Sequence, residues 1–505
     1  MTMTAPSILR AQRIPDRRLY CSEPPEQKDN MLETSVSVQR LLHIEDSDPE
    51  VLHESVRDGD LPLWPRVRMF FAQSLAAAEL GENAVATTAN PWSVRRRLVR
   101  ALLPSRWDAR GLRTRRDLLA VVGGGTVRTI DSHEDNWLVG DYLRAAPERA
   151  ALLQWRALPG AGGAPSFRPS RSLDPLDARV DFRARRHALS SSQVARIDGL
   201  LDSYAELFRG VLDPGQLDAV KHSAQRFELL RPLVADEFAR ILDRVQPRTV
   251  LMEDASYGHR GALIAQMKER GIHVAEPQHG WIGPSHAAYN FGAAMFVDDM
   301  RAQLPDELLT FGDFWSQGIR VPYRTTAVGK PHLEHAATAA PAPDERARVV
   351  LVVSSIADPE GTERFVLELD AALPDEWTVA FRPHPSERAV LDRRYPRIAS
   401  SRSVTIDAES DVYVSLAAAR AVVGTASTVL YEAVPFGTTV FVRESAHTAY
   451  YAGTLFGDVI DDADGPEVIA RTLTTTSTPT VSKEITALWA PEAATRVRRW
   501  VSSVG

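Results

Sequence analysis

Short apolar runs that each stop in a polar or glycine-rich turn constrain this chain more than any other feature. DLLAVVGGG (117–125), PRTVLMEDAS (247–256) and GIHVAEPQHG (271–280) form one series. ARVVLVVSS (347–355), WTVAFRPHP (377–385), RAVVGTAS (420–427) and TTVFVRE (438–444) form a second. The runs are continuous rather than alternating, the pattern of strands buried on both faces. Between them lie segments with helical spacing, such as YGHRGALIAQMKERG (257–271), ERFVLELDAAL (363–373) and VLYEAVPFG (429–437). Strand, helix, strand alternation predicts parallel sheets joined by right-handed crossovers. The expected class is therefore α/β, with two Rossmann-like doubly wound domains facing across a cleft.

At 505 residues the chain exceeds what one core serves, so two domains are expected. Residues 1–55 read as a partly disordered extension, 56–300 as the first domain and 301–480 as the second. Residues 481–505 read as a helix that packs back on the first domain. Within this scheme SVSVQRLLHI (35–44) reads as a first strand, and LPLWPRVRMFFAQSLAAAEL (61–80) as an amphipathic helix with Trp64 and Phe70 in the core. The Pro- and Gly-rich stretch 155–175 reads as a loop, followed by two long helical patterns ending at Val245.

Charge excludes some partners. The net charge is −7, so no global basic field points to nucleic acid. The arginines at 95–97 and 183–186 read as solvated faces, with an anionic acceptor or a membrane surface as the other reading. Cys21 is the only cysteine, which rules out an intrachain disulfide and a cysteine metal cage. No run approaches the roughly 20 apolar residues of a spanning helix, and the first residues lack a signal-peptide core. A cytoplasmic protein is expected, with peripheral association at the inner membrane face compatible. Asp131, His133, Glu134 and Asp135 crowd one segment; a polar loop is favoured there over a metal site, and no metal is expected.

The turns carry the candidate chemistry. In Arg382-Pro383-His384-Pro385 the prolines stop the strand and fix φ around His384. At the carboxyl end of a parallel strand such a histidine faces the crevice where open α/β sheets bind ligands. It suits a phosphate oxygen, with Arg382 either adding a bidentate contact or facing solvent. Gly424-Thr425-Ala426-Ser427-Thr428 places three hydroxyl residues where a strand passes into a helix. Capping needs one of them, so the excess favours an anion. Glu432, one turn on, suits a ribose hydroxyl pair or is a surface glutamate. In the earlier series, Gln278-His279-Gly280 ends a strand before Gly283 allows a tight turn. His279 suits a general base, and Glu253 and Asp254 would orient it or act themselves.

These residues resemble the bacterial glycosyltransferases of the two-Rossmann GT-B type that build capsule and other surface polysaccharides. The likeness extends over roughly 245–460 and takes in sialyltransferase-like enzymes, Kdo-transferring capsule enzymes and CDP-glycerol glycerophosphotransferases. On that pattern His384-Pro385 match the HP motif, Ser427-Thr428 the Ser/Thr motif, and His279-Gly280 a His-Gly element proposed as base. DLLAVVGGG with its downstream IDSHED sits where capsule-type proteins have their first strand and loop. Glu253-Asp254 is the nearest match to the acidic base of the sialyltransferases. The resemblance implies a metal-independent GT-B transferase without a cofactor. Its donor would be a CMP- or CDP-linked sugar, or a sugar-like alcohol phosphate. Its acceptor would be a glycan or a lipid-linked hydroxyl. Alternatives are a UDP-N-acetylglucosamine 2-epimerase-like GT-B enzyme and a non-catalytic GT-B scaffold in polysaccharide assembly.

Overall fold

In the computed structural model, the residues described are 34–80, 106–130, 133–156, 164–354, 358–445, 448, 464–475 and 487–504. They lie in one unit, Leu32–Gly505. The segment 1–30 with Cys21, the arginines at 95–97, and Asp131 fall outside the described residues.

The strands are β1 (Leu118–Gly123), β2 (Val127–Ile130), β3 (His133–Asn136), β4 (Ala150–Trp155), β5 (Ala164–Pro165), β6 (Ser170–Ser172), β7 (Thr249–Met252), β8 (His273–Pro277), β9 (Glu307–Thr310) and β10 (Arg324–Ala327) in the first half. The second half holds β11 (Val349–Val353), β12 (Thr378–Arg382), β13 (Thr405–Ile406), β14 (Ala421–Gly424) and β15 (Thr439–Val442). The first sheet has the order β10-β9-β8-β7-β1-β4-β6 and the second β13-β12-β11-β14-β15. Every pairing in both is parallel. The expected α/β class with two Rossmann-like doubly wound halves is the one the chain has. The first sheet takes in β9 and β10, past the boundary at 301 drawn from sequence.

Alternate side chains of each strand reach opposite cores. Leu119 and Val121 face the helices Asp174–Ala184, Pro214–Val245 and Gly261–Lys268, whereas Leu118, Ala120 and Val122 face Gly140–Ala145 and the C-terminal helix Ala493–Val504. In the second half Val350 and Val352 face one layer, and Leu351 and Val353 the other. Burial on both faces is why these runs are continuously apolar.

Three sequence expectations are corrected. The stretch 155–175 is not all loop, because it holds β5 and β6, and β6 pairs with β4 at the edge of the first sheet. SVSVQRLLHI is not a strand: Val36–Asp46 is a helix capped by Ser35, whose side chain accepts from the Val38 N–H. Val38, Leu41, Ile44 and Glu45 share its buried face, a three-to-four-residue spacing that outweighs the β preference of the valines. The segment with His133, Glu134 and Asp135 is not a plain loop either: these residues lie in β3, which pairs antiparallel with β2. There Asp135 is bridged by Arg128 and Arg144, and Glu134 by Arg156. Trp64 is fully buried and stacks on Phe208, as a core residue does, while Phe70 is only partly buried against Phe227.

Candidate active site

In doubly wound sheets the ligand crevice opens where strand order reverses. In the first sheet that point lies between β1 and β7, in the second between β11 and β14. The sequence candidates cluster at both.

At the first, the Gly123 N–H ending β1 donates to Oε2 of Glu253, just past β7. A Cβ on Gly123 would lie 3.1 Å from that oxygen, so glycine permits the approach. Burial raises the pKa of Glu253, Asp254 adds to it, and the Gly123 N–H opposes it. Asp254 adopts a left-handed conformation with φ 57°, tolerated by aspartate better than by most residues. It thereby turns toward His279, whose Nε2 lies 3.4 Å from Asp254 Oδ1. His279 Nδ1 is buried and has no hydrogen-bond partner among the described residues. Nε2 is thus the ring nitrogen that faces a carboxylate, Asp254.

The turn after His279 is built tightly. Gln278 accepts from the Phe311 N–H at 2.7 Å and donates to the Gly280 carbonyl at 2.8 Å. A Cβ on Gly283 would sit 2.5 Å from the Trp281 ring. His286, stacked on Trp281, accepts the Ala288 N–H on Nδ1 and meets the Tyr257 hydroxyl with Nε2. Burial drives its pKa down to about 3, which makes it a neutral structural histidine. His273 is occupied by Glu307 at 3.0 Å.

Behind His279 lies a carboxyl that sequence reading passed over. Glu276 is fully buried in β8 and accepts from the Ser256 N–H, the Ser256 hydroxyl and the Tyr289 hydroxyl. Burial pushes its pKa up to about 7, against the pull of His279. A lone glutamate within the apolar run HVAEP was the available signal.

At the second switch point the HP turn is pinned from below. Glu387, buried, accepts the His384 N–H at 3.0 Å, the Ser354 hydroxyl at 2.6 Å and the Tyr395 hydroxyl at 2.8 Å. His384 itself is exposed, as is Pro385. Its Nδ1 pairs with the Ser386 hydroxyl at 2.8 Å and accepts the Ser386 N–H at 3.3 Å. Partial burial holds the imidazole below its ordinary pKa, with Glu387 opposing. With Nδ1 accepting, its neutral form carries the proton on Nε2. Arg382 is not solvent-facing: its Nη1 donates to Asp407 at 2.6 Å and to the Ser415 hydroxyl at 3.2 Å.

Gly424 ends β14 against β11, where a Cβ would come within 2.7 Å of Val353. Ser427 caps the following helix Thr428–Ala433, its hydroxyl accepting the Val429 N–H at 3.2 Å. The Thr428 hydroxyl has no partner among the described residues. Glu432 is not a surface glutamate. It is buried and meets Lys330 and the Tyr413 hydroxyl.

The two switch points meet at a seam. Trp281, two residues after His279, packs in one apolar cluster with Tyr431 of the Thr428–Ala433 helix. Trp315 lies against Tyr431 with ring centroids 5.0 Å apart, and the Trp489 indole donates to the Tyr431 carbonyl. The carboxyl ends of both sheets thus border one junction, the layout called GT-B. Among the described residues no group of three or more His, Cys, Asp or Glu is placed to hold a metal. None of their helices is long and apolar enough to cross a membrane.

No protein-family model and no curated protein matches the chain. Solved structures similar to it include the UDP-GlcNAc 2-epimerase of Methanocaldococcus jannaschii in complex with UDP-GlcNAc and UDP. The match has 9% identity and a TM-score of 0.45, over 76% of this chain and 99% of that one. The Neisseria meningitidis UDP-GlcNAc 2-epimerase bound to UDP-GlcNAc has 9% identity and a TM-score of 0.41, over 77% and 98%. The glycotransferase of kitacinnamycin has 13% identity and a TM-score of 0.37, over 77% and 96%. What this chain does rests on its own residues.

Proposed function

We propose that the chain is a GT-B glycosyltransferase that moves a sugar, or a sugar-like group, from a nucleotide-activated donor to a hydroxyl acceptor. The observation that carries this reading is the seam itself. It joins the His279 turn of one switch point, through Trp281 and Tyr431, to the helix begun by Ser427 and Thr428 at the other. A base and a phosphate floor on opposite walls are what group transfer between two substrates requires.

In this reading the donor phosphate lies on the second half. His384 donates from Nε2, and Thr428 with Ser427 adds hydroxyls, so charge growing on the departing nucleotide phosphate is stabilised. The acceptor enters from the first half. Its hydroxyl proton passes to His279 Nε2 or to Asp254 as the oxygen bonds the transferred carbon and the nucleotide leaves with the bonding pair. Glu432 holds the ribose. Arg382, bound by Asp407 and Ser415, supports the HP strand rather than the phosphate. The donor is CMP- or CDP-linked and the acceptor a surface glycan or its lipid-linked precursor, as the HP and Ser/Thr pattern implies.

A second reading, a nucleotide-sugar 2-epimerase, draws on Glu253, a carboxyl held above its ordinary pKa next to Asp254 and His279. An acid and a base side by side suit proton removal and return on one substrate. One experiment separates the readings. The protein is screened for thermal stabilisation by CMP, CDP and UDP, then incubated with the corresponding donor with and without an acceptor glycan. Transfer that needs the acceptor and falls roughly 100-fold or more in His384→Ala supports the transferase. Conversion of UDP-N-acetylglucosamine alone establishes the epimerase. No stabilisation by any nucleotide leaves the scaffold reading.

A further inference from the structure

Lys330 lies where the chain passes from β10 to the helix Pro331–Ala339. Its ammonium contacts Glu432 and stands 5.0 Å from the Trp137 ring centroid, 4.9 Å from that of Phe311 and 5.5 Å from that of Tyr413. Trp137 and Phe311 belong to the first half, Tyr413 and Glu432 to the second. Three aromatic faces hold a cation without competing for it as a carboxylate would. Among the described residues Glu432 is the only carboxylate that pairs with Lys330.

The contacts on Glu432 are one-sided. Lys330 Nζ and the Tyr413 hydroxyl both meet Oε1, and no donor among the described residues reaches Oε2. A carboxylate fixed by one oxygen has a fixed plane, and its other oxygen keeps lone pairs for two hydroxyl donors. The linker sequence VGKPH shows none of this, since Lys330 and Glu432 are 102 residues apart.

We propose that Lys330 is a positioning residue for the ribose of the nucleotide: it holds Oε1 of Glu432 and so presents Oε2 to the sugar's hydroxyls. This rests on the nucleotide-sugar reading above. With a neutral side chain at 330, Glu432 is left buried beside Tyr413 without a counter-charge, and it protonates or turns away. The ribose hydroxyls then lose their acceptor, while the phosphate contacts stay intact.

The test is the ratio of affinities for ribo- and 2′-deoxyribonucleotides, measured by calorimetry with CMP, CDP, UDP and their 2′-deoxy forms. The proteins are the wild type, Lys330→Met, which keeps the apolar stem among the aromatic rings, and Lys330→Arg, which keeps the charge. The wild type is expected to prefer the ribo form by roughly 10- to 100-fold, the worth of a hydrogen bond to a charged group. Lys330→Met brings that ratio close to one, and Lys330→Arg restores part of it. A folded Lys330→Met protein that binds both forms with the wild-type ratio, even more weakly, overturns the proposal, because a merely structural lysine lowers both alike. A wild type that binds nucleotides without preferring ribose overturns it too. A wild type that binds none overturns the nucleotide reading, and this proposal with it.

Discussion

Glu276 is a buried acid in a strand, and its contacts define when it carries charge. Three donors face it, yet burial still pushes its pKa up to about 7. The folded value exceeds the unfolded one, so its contribution to stability is fully present below about pH 4.5 and is lost as pH rises through 7. The wild type is therefore expected to lose about 1–3 kcal/mol between pH 5 and 8 from this group. Glu276→Gln, uncharged throughout, flattens that slope in urea unfolding series at the two pH values. An equal slope in both proteins would show that the carboxyl is already ionised at pH 5. Sequence alone gave residue types here but not partners. His279 was legible because glycines mark its turn. The partners of Arg382 were not legible, because Asp407 and Ser415 come from later elements that only the fold brings to it. Lys330 carried no local signal at all.

Among the elements, the strands were the most legible. Their β-branched runs are buried on both faces, so the tertiary environment and local preference agree. The exceptions follow from weaker agreement. β10 is an edge strand of partly exposed threonines, and its polarity hid it between two halves. The helix Val36–Asp46 was hidden by alternating valines, one of them exposed. One close approach ties that N-terminal helical layer to the site. Gly258, with φ 81°, brings its backbone so near the helix Trp64–Leu80 that a Cβ would lie 1.8 Å from the Pro65 carbonyl. Gly258→Ala is expected to cost more than about 2 kcal/mol, from both the left-handed backbone and the clash. Hydrogen exchange should then quicken across 64–80 and in the Asp254 loop together. Loosening of only one of them would mean that the two do not move as a unit.

At the scale of the whole molecule, the chain passes between the halves twice. It leaves the first half after β10 and returns through 487–492 to lay the helix Ala493–Val504 on the first sheet. That helix begins on Glu334, whose carboxylate accepts the Glu492 and Ala493 N–H groups, and it ends with Val504 accepting from Thr249. Between these, the Trp500 indole donates to Glu307 at 3.0 Å. Burial would raise the pKa of Glu307, but hydrogen bonds from His273, Arg324, Thr326 and Trp500 outweigh it and hold the pKa down at about 2. A depressed value means stability that is present above about pH 4.5 and lost as pH falls toward 2. Acidification from pH 5 to 3 is thus expected to weaken protection of amides in 493–504, after correction for intrinsic exchange, before the second sheet opens. Protection that stays level over this range would show that apolar packing of Val497, Trp500 and Val501 holds the helix by itself.

This return crossing has a consequence for synthesis. The face of the first sheet formed by Leu118, Ala120 and Val122 receives its last cover from residues that are made only after the whole second half. At roughly 5–20 residues per second, the stretch from 328 to 493 takes on the order of ten to thirty seconds to emerge. During that interval the nascent first half presents an apolar strip beside Tyr142 and Leu143, a natural place for a chaperone to wait. The order of assembly is fixed by the thread: the half that is translated first is the one completed last.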